Sequence, residues 1–258
     1  EPRDMYVSRV IALQAGMEKS SAALTVNRLC GSGLQAIVSA SQILMLGDAS
    51  IAMAGGVEVM SNGAHIVQGF RWGSRMGDGQ VHDMMLGALH DPFGHGHMGI
   101  TAENISSRYQ ISREMQDEFA LTSQKRAQKA IENGVFKDQI LPIEIKTRKG
   151  VEIFETDEHL KPDTSMETLS SLRTAFKKDG VVTAGNASGI NDGASALILA
   201  NEEKAKKSKP LARIVSYGFG GVDPDEMGMG PIPASKMALK KAQLSVSDLD
   251  LIESNEAF

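Results

Sequence analysis

Ala22-Ala23-Leu24-Thr25-Val26-Asn27-Arg28-Leu29-Cys30-Gly31-Ser32-Gly33-Leu34 changes its hydrophobic period in mid-course. Residues 22–27 form a short β-like run, Gly31-Ser32-Gly33 mark a turn, and Leu34, Ile37, Val38, Ile43 and Leu44 then recur at helical spacing. The pattern predicts strand, tight turn, helix. Asp48-Ala49-Ser50 leads into Ile51-Ala52-Met53-Ala54, a compact apolar run closed by Gly55-Gly56, which suits a buried parallel strand. Together these segments predict a βαβ unit.

Outward from this unit the pattern changes. From Ser61 to Asp179 turn residues and histidines are frequent and strand signals few, apart from one amphipathic helix opened by Ser112 as N-cap and closed near Asn133-Gly134. This segment reads as an excursion from an α/β core. The core pattern returns at Gly180-Val181-Val182-Thr183-Ala184 and at Ala194 to Ala200. Beyond the charged stretch Asn201 to Lys209, Pro210 marks a domain change and Leu211 to Val215 opens another strand-like run. Ser245 or Ser247 signals a helix start, and Leu249 to Ile252 reads as a strand aimed at Ser254-Asn255-Glu256-Ala257-Phe258.

The chain has 258 residues, 41% hydrophobic and 23% charged, which is ordinary globular composition. Its 27 basic and 32 acidic residues leave a net charge of −5 without long blocks of either sign, so a nucleic-acid partner is not expected. No apolar stretch is expected to reach the length of a membrane span. A single cysteine forms no intramolecular disulfide, fits a reducing compartment and excludes a thiolate-rich zinc site. His90, His95 and His97 lack the carboxylates and spacing of a zinc motif, so no metal is expected.

Cys30 sits where a strand hands over to a helix, a position at which unpaired N–H groups and the helix dipole favour a thiolate. Gly31 and Gly33 leave room for a substrate beside the backbone, and the Cys30 N–H can face an oxyanion. Buried core filler is the equally open alternative, because free cysteine is among the most buried residue types. Ser188 alone reads as a turn former, Asn255 as a cap or turn residue, and His97 as a structural histidine.

Asn27-Arg28-Leu29-Cys30-Gly31-Ser32-Gly33-Leu34-Gln35-Ala36-Ile37 and Gly55-Gly56-Val57-Glu58-Val59-Met60-Ser61 resemble two segments of the thiolase family. His97 to Asn104, Ala184 to Ala194, Met229 to Ala234 and Asn255 to Phe258 continue the resemblance along the full chain. It implies an α/β fold of thiolase type, layered α/β/α/β/α, with an inserted loop domain. Residues 1–60 and 191–210 would belong to the N-terminal half, 61–190 to the loop domain that binds coenzyme A, and 211–258 to the start of the C-terminal half.

The resemblance also implies acyl transfer between acyl-CoA thioesters by ping-pong chemistry. Cys30 would carry the acyl group, and Asn255 would hold the water of a second oxyanion hole. His97, Met98, Phe258, Leu89 and Met227 would line the acyl pocket. Ser188 would contact the pantetheine arm, with Leu172 and Phe176 nearby and Lys161 beside the nucleotide end, where relatives often carry Arg. Coenzyme A and acyl-CoA are expected as substrates, with no permanently bound cofactor and no membrane partner. A homo-oligomer, dimer or tetramer, in the bacterial cytoplasm is expected, with organellar relatives left open. The family's Gly-His-Pro and Cys-x-Gly-Gly segments do not occur in the sequence. The chain therefore reads as a thiolase cut at both ends and inactive alone. The rival expectations are a cysteine thioester hydrolase and a non-catalytic thiolase piece.

Overall fold

A computed structural model describes residues 3–258. Glu1 and Pro2 lie outside the described residues. In chain order the elements are α1 (Val7–Gln14), α2 (Ser32–Leu46), β1 (Ile51–Val59), β2 (His65–Val67), β3 (Val81–Asp83), α3 (Met84–Ala88), β4 (His90–Asp91) and β5 (Gly96–His97). They continue with α4 (Met98–Tyr109), α5 (Arg113–Glu132), β6 (Ile143–Thr147), β7 (Gly150–Phe154), α6 (Met166–Ser170), β8 (Asp192–Ala200), α7 (Glu202–Ala205) and α8 (Pro231–Ala242).

The chain divides into two compact units. The first holds Glu1–His90, Ile190–Phe219 and Ala234–Val246, and the second holds Asp91–Gly189, Gly220–Pro233 and Ser247–Phe258.

In the first unit α2 lies against β1, and β1 pairs with β8 in an antiparallel ladder from Ile51↔Ala200 to Val59↔Asp192. The expected parallel βαβ unit is thus corrected: β1 runs against a strand more than a hundred residues away. Small residues explain the fit. A Cβ on Gly55 would lie 2.5 Å from the Ser195 carbonyl oxygen, and one on Gly56 would lie 3.6 Å from Gly33 Cα, at the start of α2. Ala40, Leu44, Ala54 and Leu199 form the buried centre of this packing. Residues 22–27 belong to no strand, because an extended run becomes a strand only when a neighbour completes its ladder, and among the described residues none does.

Tertiary pairing overrules other local signals in the same way. Leu211 to Val215 and Leu249 to Ile252 are not strands, and the Ser245–Ser247 start signal yields a single 3-10 turn, Val246–Asp248. The apolar stretch Leu29–Leu46 does reach the length and hydropathy of a membrane-crossing segment, which corrects the opposite expectation. Its α-helical part, α2, has 15 residues and is about 22 Å long, against about 30 Å of hydrocarbon in a bilayer.

The second unit is built on α4 and α5. The expected helix appears as α5, with the Ser112 hydroxyl accepting from Met115 N–H, and Gly134 is left-handed at φ 68° just beyond its end. The core here is largely polar. Thr101, Asp117, Val182 and Thr183 are almost wholly buried, although residues 180–184 form no strand and their β-pairing is a single bridge, Thr174↔Thr183. Glu103 replaces strand pairing by accepting from the backbone N–H groups of Val181 and Val182. A Cβ on Gly180 would strike that carboxylate.

Candidate active site

Cys30 is exposed, in a turn immediately before α2. Gly31 caps the helix, and Leu29 is left-handed at φ 48°, a conformation that costs an L-residue about 1–2 kcal/mol. The turn is held by its neighbours. Asn27 Oδ1 accepts from Leu29 N–H at 2.9 Å. The Ser32 hydroxyl donates to the Leu29 carbonyl at 2.7 Å and accepts from Arg28 N–H at 2.8 Å. Arg28 in turn reaches Gln35 Oε1 at 2.8 Å and lies 4.5 Å over the Phe219 ring. Such strain survives only where surrounding contacts enforce it. The sulfur is thus displayed on a braced turn and is not core filler.

Leu89 also belongs to the first unit, half-buried just past α3, whose first turn is capped by the Asp83 carboxylate. At the mouth of β8 the Ser61 hydroxyl and N–H both donate to Asp192, at 2.5 and 2.9 Å. These donors hold the Asp192 carboxyl below its ordinary pKa.

The second unit gathers several of the other predicted residues. His97 caps α4, its Nδ1 accepting from Gly99 N–H at 3.0 Å, which leaves the proton of a neutral ring on Nε2. Met98 opens the helix, and its carbonyl accepts from the Thr101 hydroxyl. Phe176 stacks on the His97 ring at 4.6 Å and meets Phe258 edge-on at 5.9 Å. Gly99 makes this stack possible, because a Cβ there would lie 2.2 Å from the Phe176 ring. Ser188 N–H donates to the Ala257 carbonyl at 2.9 Å, fastening the glycine-rich turn to the terminal Asn-Glu-Ala-Phe segment. The Ser123 hydroxyl donates to Glu256 in that segment.

His97, Phe176 and Phe258 therefore form one cluster, with Met98 next to it in sequence and Ser188 tied to the residue before Phe258. Met227 lies in the 3-10 segment Pro224–Met229, which packs on α4. That segment is anchored by Arg108 to Glu226 at 2.5 Å and by Asn104 to the Asp225 carbonyl. The Glu226 carboxylate raises the Arg108 pKa. Leu172 follows α6, Asn255 is exposed in the tail, and the exposed Lys161 gives its backbone N–H to Gln124. Among the described residues no three His, Cys, Asp or Glu side chains are grouped to hold a metal.

Sequence reasoning missed the polar residues beneath this surface. Asn186 Nδ2 donates to Asp117 Oδ1 at 2.9 Å and to the Val181 carbonyl, while its Oδ1 accepts from Thr183 N–H at 2.7 Å. Arg113 Nε donates to Asp117 Oδ2 at 2.7 Å. The i,i+4 spacing of Arg113 and Asp117 was the available signal, but it commonly marks a solvated helix face.

The exposed cysteine stands on a strained turn at a helix start, with a glycine-bearing strand packed against that helix. Family comparison places the chain. The thiolase N-terminal domain matches residues 2–203 and the thiolase C-terminal domain residues 208–258. The chain belongs to the thiolase family.

Beta-ketothiolase BktB of Cupriavidus necator is 56% identical across the whole chain, which covers 66% of that protein. An acetyl-CoA acetyltransferase of Syntrophomonas wolfei is 52% identical over 98% of the chain and 65% of its own length. The crystal structure of human mitochondrial 3-ketoacyl-CoA thiolase superposes with a TM-score of 0.96 at 46% identity, covering all of this chain and 66% of that one. The fold is thus the thiolase α/β fold, and the chain spans slightly less than two thirds of the length of these relatives.

Proposed function

We propose that the complete protein transfers acyl groups between acyl-CoA thioesters, as an acetyl-CoA acetyltransferase or 3-ketoacyl-CoA thiolase, through an acyl-Cys30 intermediate. The observation that carries this reading is the exposed Cys30 on its braced left-handed turn at the start of α2. In the degradative direction the Cys30 thiolate attacks the 3-keto carbon of a 3-ketoacyl-CoA. A sulfur–carbon bond forms, the adjacent carbon–carbon bond breaks, and the leaving acetyl-CoA enolate takes up a proton. Coenzyme A thiolate then displaces the acyl group from sulfur, regenerating Cys30.

In this reading His97, Met98, Phe258, Leu89 and Met227 receive the acyl chain, and Phe176 packs near the pantetheine arm. Ser188 and Leu172 hold the pantetheine arm, Lys161 meets the nucleotide end, and Asn255 orients a water against the second thioester. A solved complex of human mitochondrial 3-ketoacyl-CoA thiolase with CoA, similar at a TM-score of 0.95 and 45% identity, supports the choice of ligand. The domain reading is kept: an N-terminal half of residues 1–60 and 191–210, a coenzyme A-binding loop domain of 61–190, and a second half from 211. Since Cys30 is the sole cysteine of the chain, a second cysteine acting as proton acceptor is not among these residues. Relatives from bacteria at 56% and 52% identity support a bacterial source, and a cytoplasmic homo-oligomer, dimer or tetramer, completes the proposal.

The test is mass spectrometry of the complete protein after brief exposure to acetyl-CoA or acetoacetyl-CoA. A 42 Da adduct on the Cys30 peptide is expected, absent in Cys30→Ser. Acylation elsewhere with Cys30 unmodified would overturn the reading, and release of free acid without an acceptor would point to a hydrolase.

A further inference from the structure

We infer that the half-buried Arg113 and the buried Asp117 and Asn186 form a positioning relay that sets the separation of Leu172 and Ser188, the two residues assigned above to the pantetheine arm. The inference rests on that assignment and adds the residues that hold it in register.

The relay is continuous and lies within one unit. Asp117, 1% exposed, has one carboxylate oxygen on Arg113 and the other on Asn186. Arg113 also donates to the carbonyls of Leu169 and Leu172, so its guanidinium grips the segment after α6. Asn186, 7% exposed, spans the far side by accepting from Thr183 and donating to Val181, which fixes the turn two residues before Ser188. The two segments also meet directly. A Cβ on Gly185 would lie 2.5 Å from Leu169 and 2.6 Å from Leu172, so this turn packs with no spare room. Ser188 then passes the restraint to the tail through Ala257.

A carboxylate this deeply buried is costly unless fully partnered, and an aliphatic filler would serve stability as well. Its geometry, with one oxygen for each side of the cradle, is suited to fixing a distance between two walls.

The experiment uses the complete protein, with Asn186→Ala, Asp117→Asn, Ser188→Ala and the double variant Asn186→Ala/Ser188→Ala. For each, KM for coenzyme A is measured in the cleavage of acetoacetyl-CoA, together with the rate of Cys30 alkylation by iodoacetamide. Loss of one hydrogen bond to a charged group predicts that KM for coenzyme A rises about tenfold in Asn186→Ala, with Cys30 alkylation within about twofold of wild type. In the double variant the effects of Asn186→Ala and Ser188→Ala should fall well short of additive, since both act through one wall.

Full additivity, or an unchanged KM in both relay variants, overturns the inference. If Asn186→Ala does not fold, the isosteric Asp117→Asn decides by the same two readouts. A wild-type protein that forms no acyl-Cys30 sinks the underlying reading instead. Normal wild-type kinetics with unaffected relay variants sinks the relay alone.

Discussion

Asp192 shows how much a single side chain can reveal once its partners are placed. In sequence it is one polar residue in a glycine-rich motif. In the fold it closes the end of the β1–β8 ladder by accepting twice from Ser61. Because these donors favour the charged form, its pKa is lower folded than unfolded. The stabilisation is therefore fully present above the ordinary carboxylate range and is lost as pH falls through the lowered folded value. Thermal melts of wild type and Asp192→Asn should differ near neutrality and converge in acid. A difference independent of pH would show that the charge plays no part. Cys30 is the complementary case at this scale. Its residue type and place before a helix were legible in the sequence, but its exposure and the left-handed Leu29 that presents it were not, because both depend on how Asn27 and Ser32 close the turn.

At the scale of elements, α2, α5 and the places of β1 and β8 were legible, whereas α4, α8 and the pairing of the strands were not. The α2 and α5 segments carry their own hydrogen bonds, so period, cap and terminal glycine announce them locally. The partner of β1 is β8, across a long stretch of chain, and neither strand states that pairing. Packing between elements hinges on small residues in the same non-local way. Gly99 lies in the first turn of α4, where its lack of a Cβ admits the Phe176 ring between His97 and Phe258. Gly99→Ala should improve helix propensity yet destabilise by about 1–3 kcal/mol through overpacking, measured by urea unfolding. A stabilised variant would mean that the ring has room to move aside.

Across the whole molecule many large apolar side chains are exposed. Ile198 on β8 is 70% exposed, and Leu34, Met45 and Leu46 on α2 more than 70%. Exposed apolar side chains in such number favour association. The 258-residue polypeptide by itself should therefore bind the dye ANS strongly and associate as its concentration rises. Weak dye binding with a sharp monomer peak in sedimentation would contradict this.

Short-range pattern was enough to place Cys30 before a helix, to find the cap at Ser112 and the helices that follow them, and to show the motifs that mark the family, while residue chemistry alone left the role of Cys30 open. These depend on contacts between residues close in the chain. The antiparallel pairing of β1 with β8, the stack of His97 on Phe176 and the burial of Asp117 against Asn186 were decided only by the tertiary structure. Each joins segments scores of residues apart, and the favourable energy of such a contact exists only after the intervening chain has been ordered.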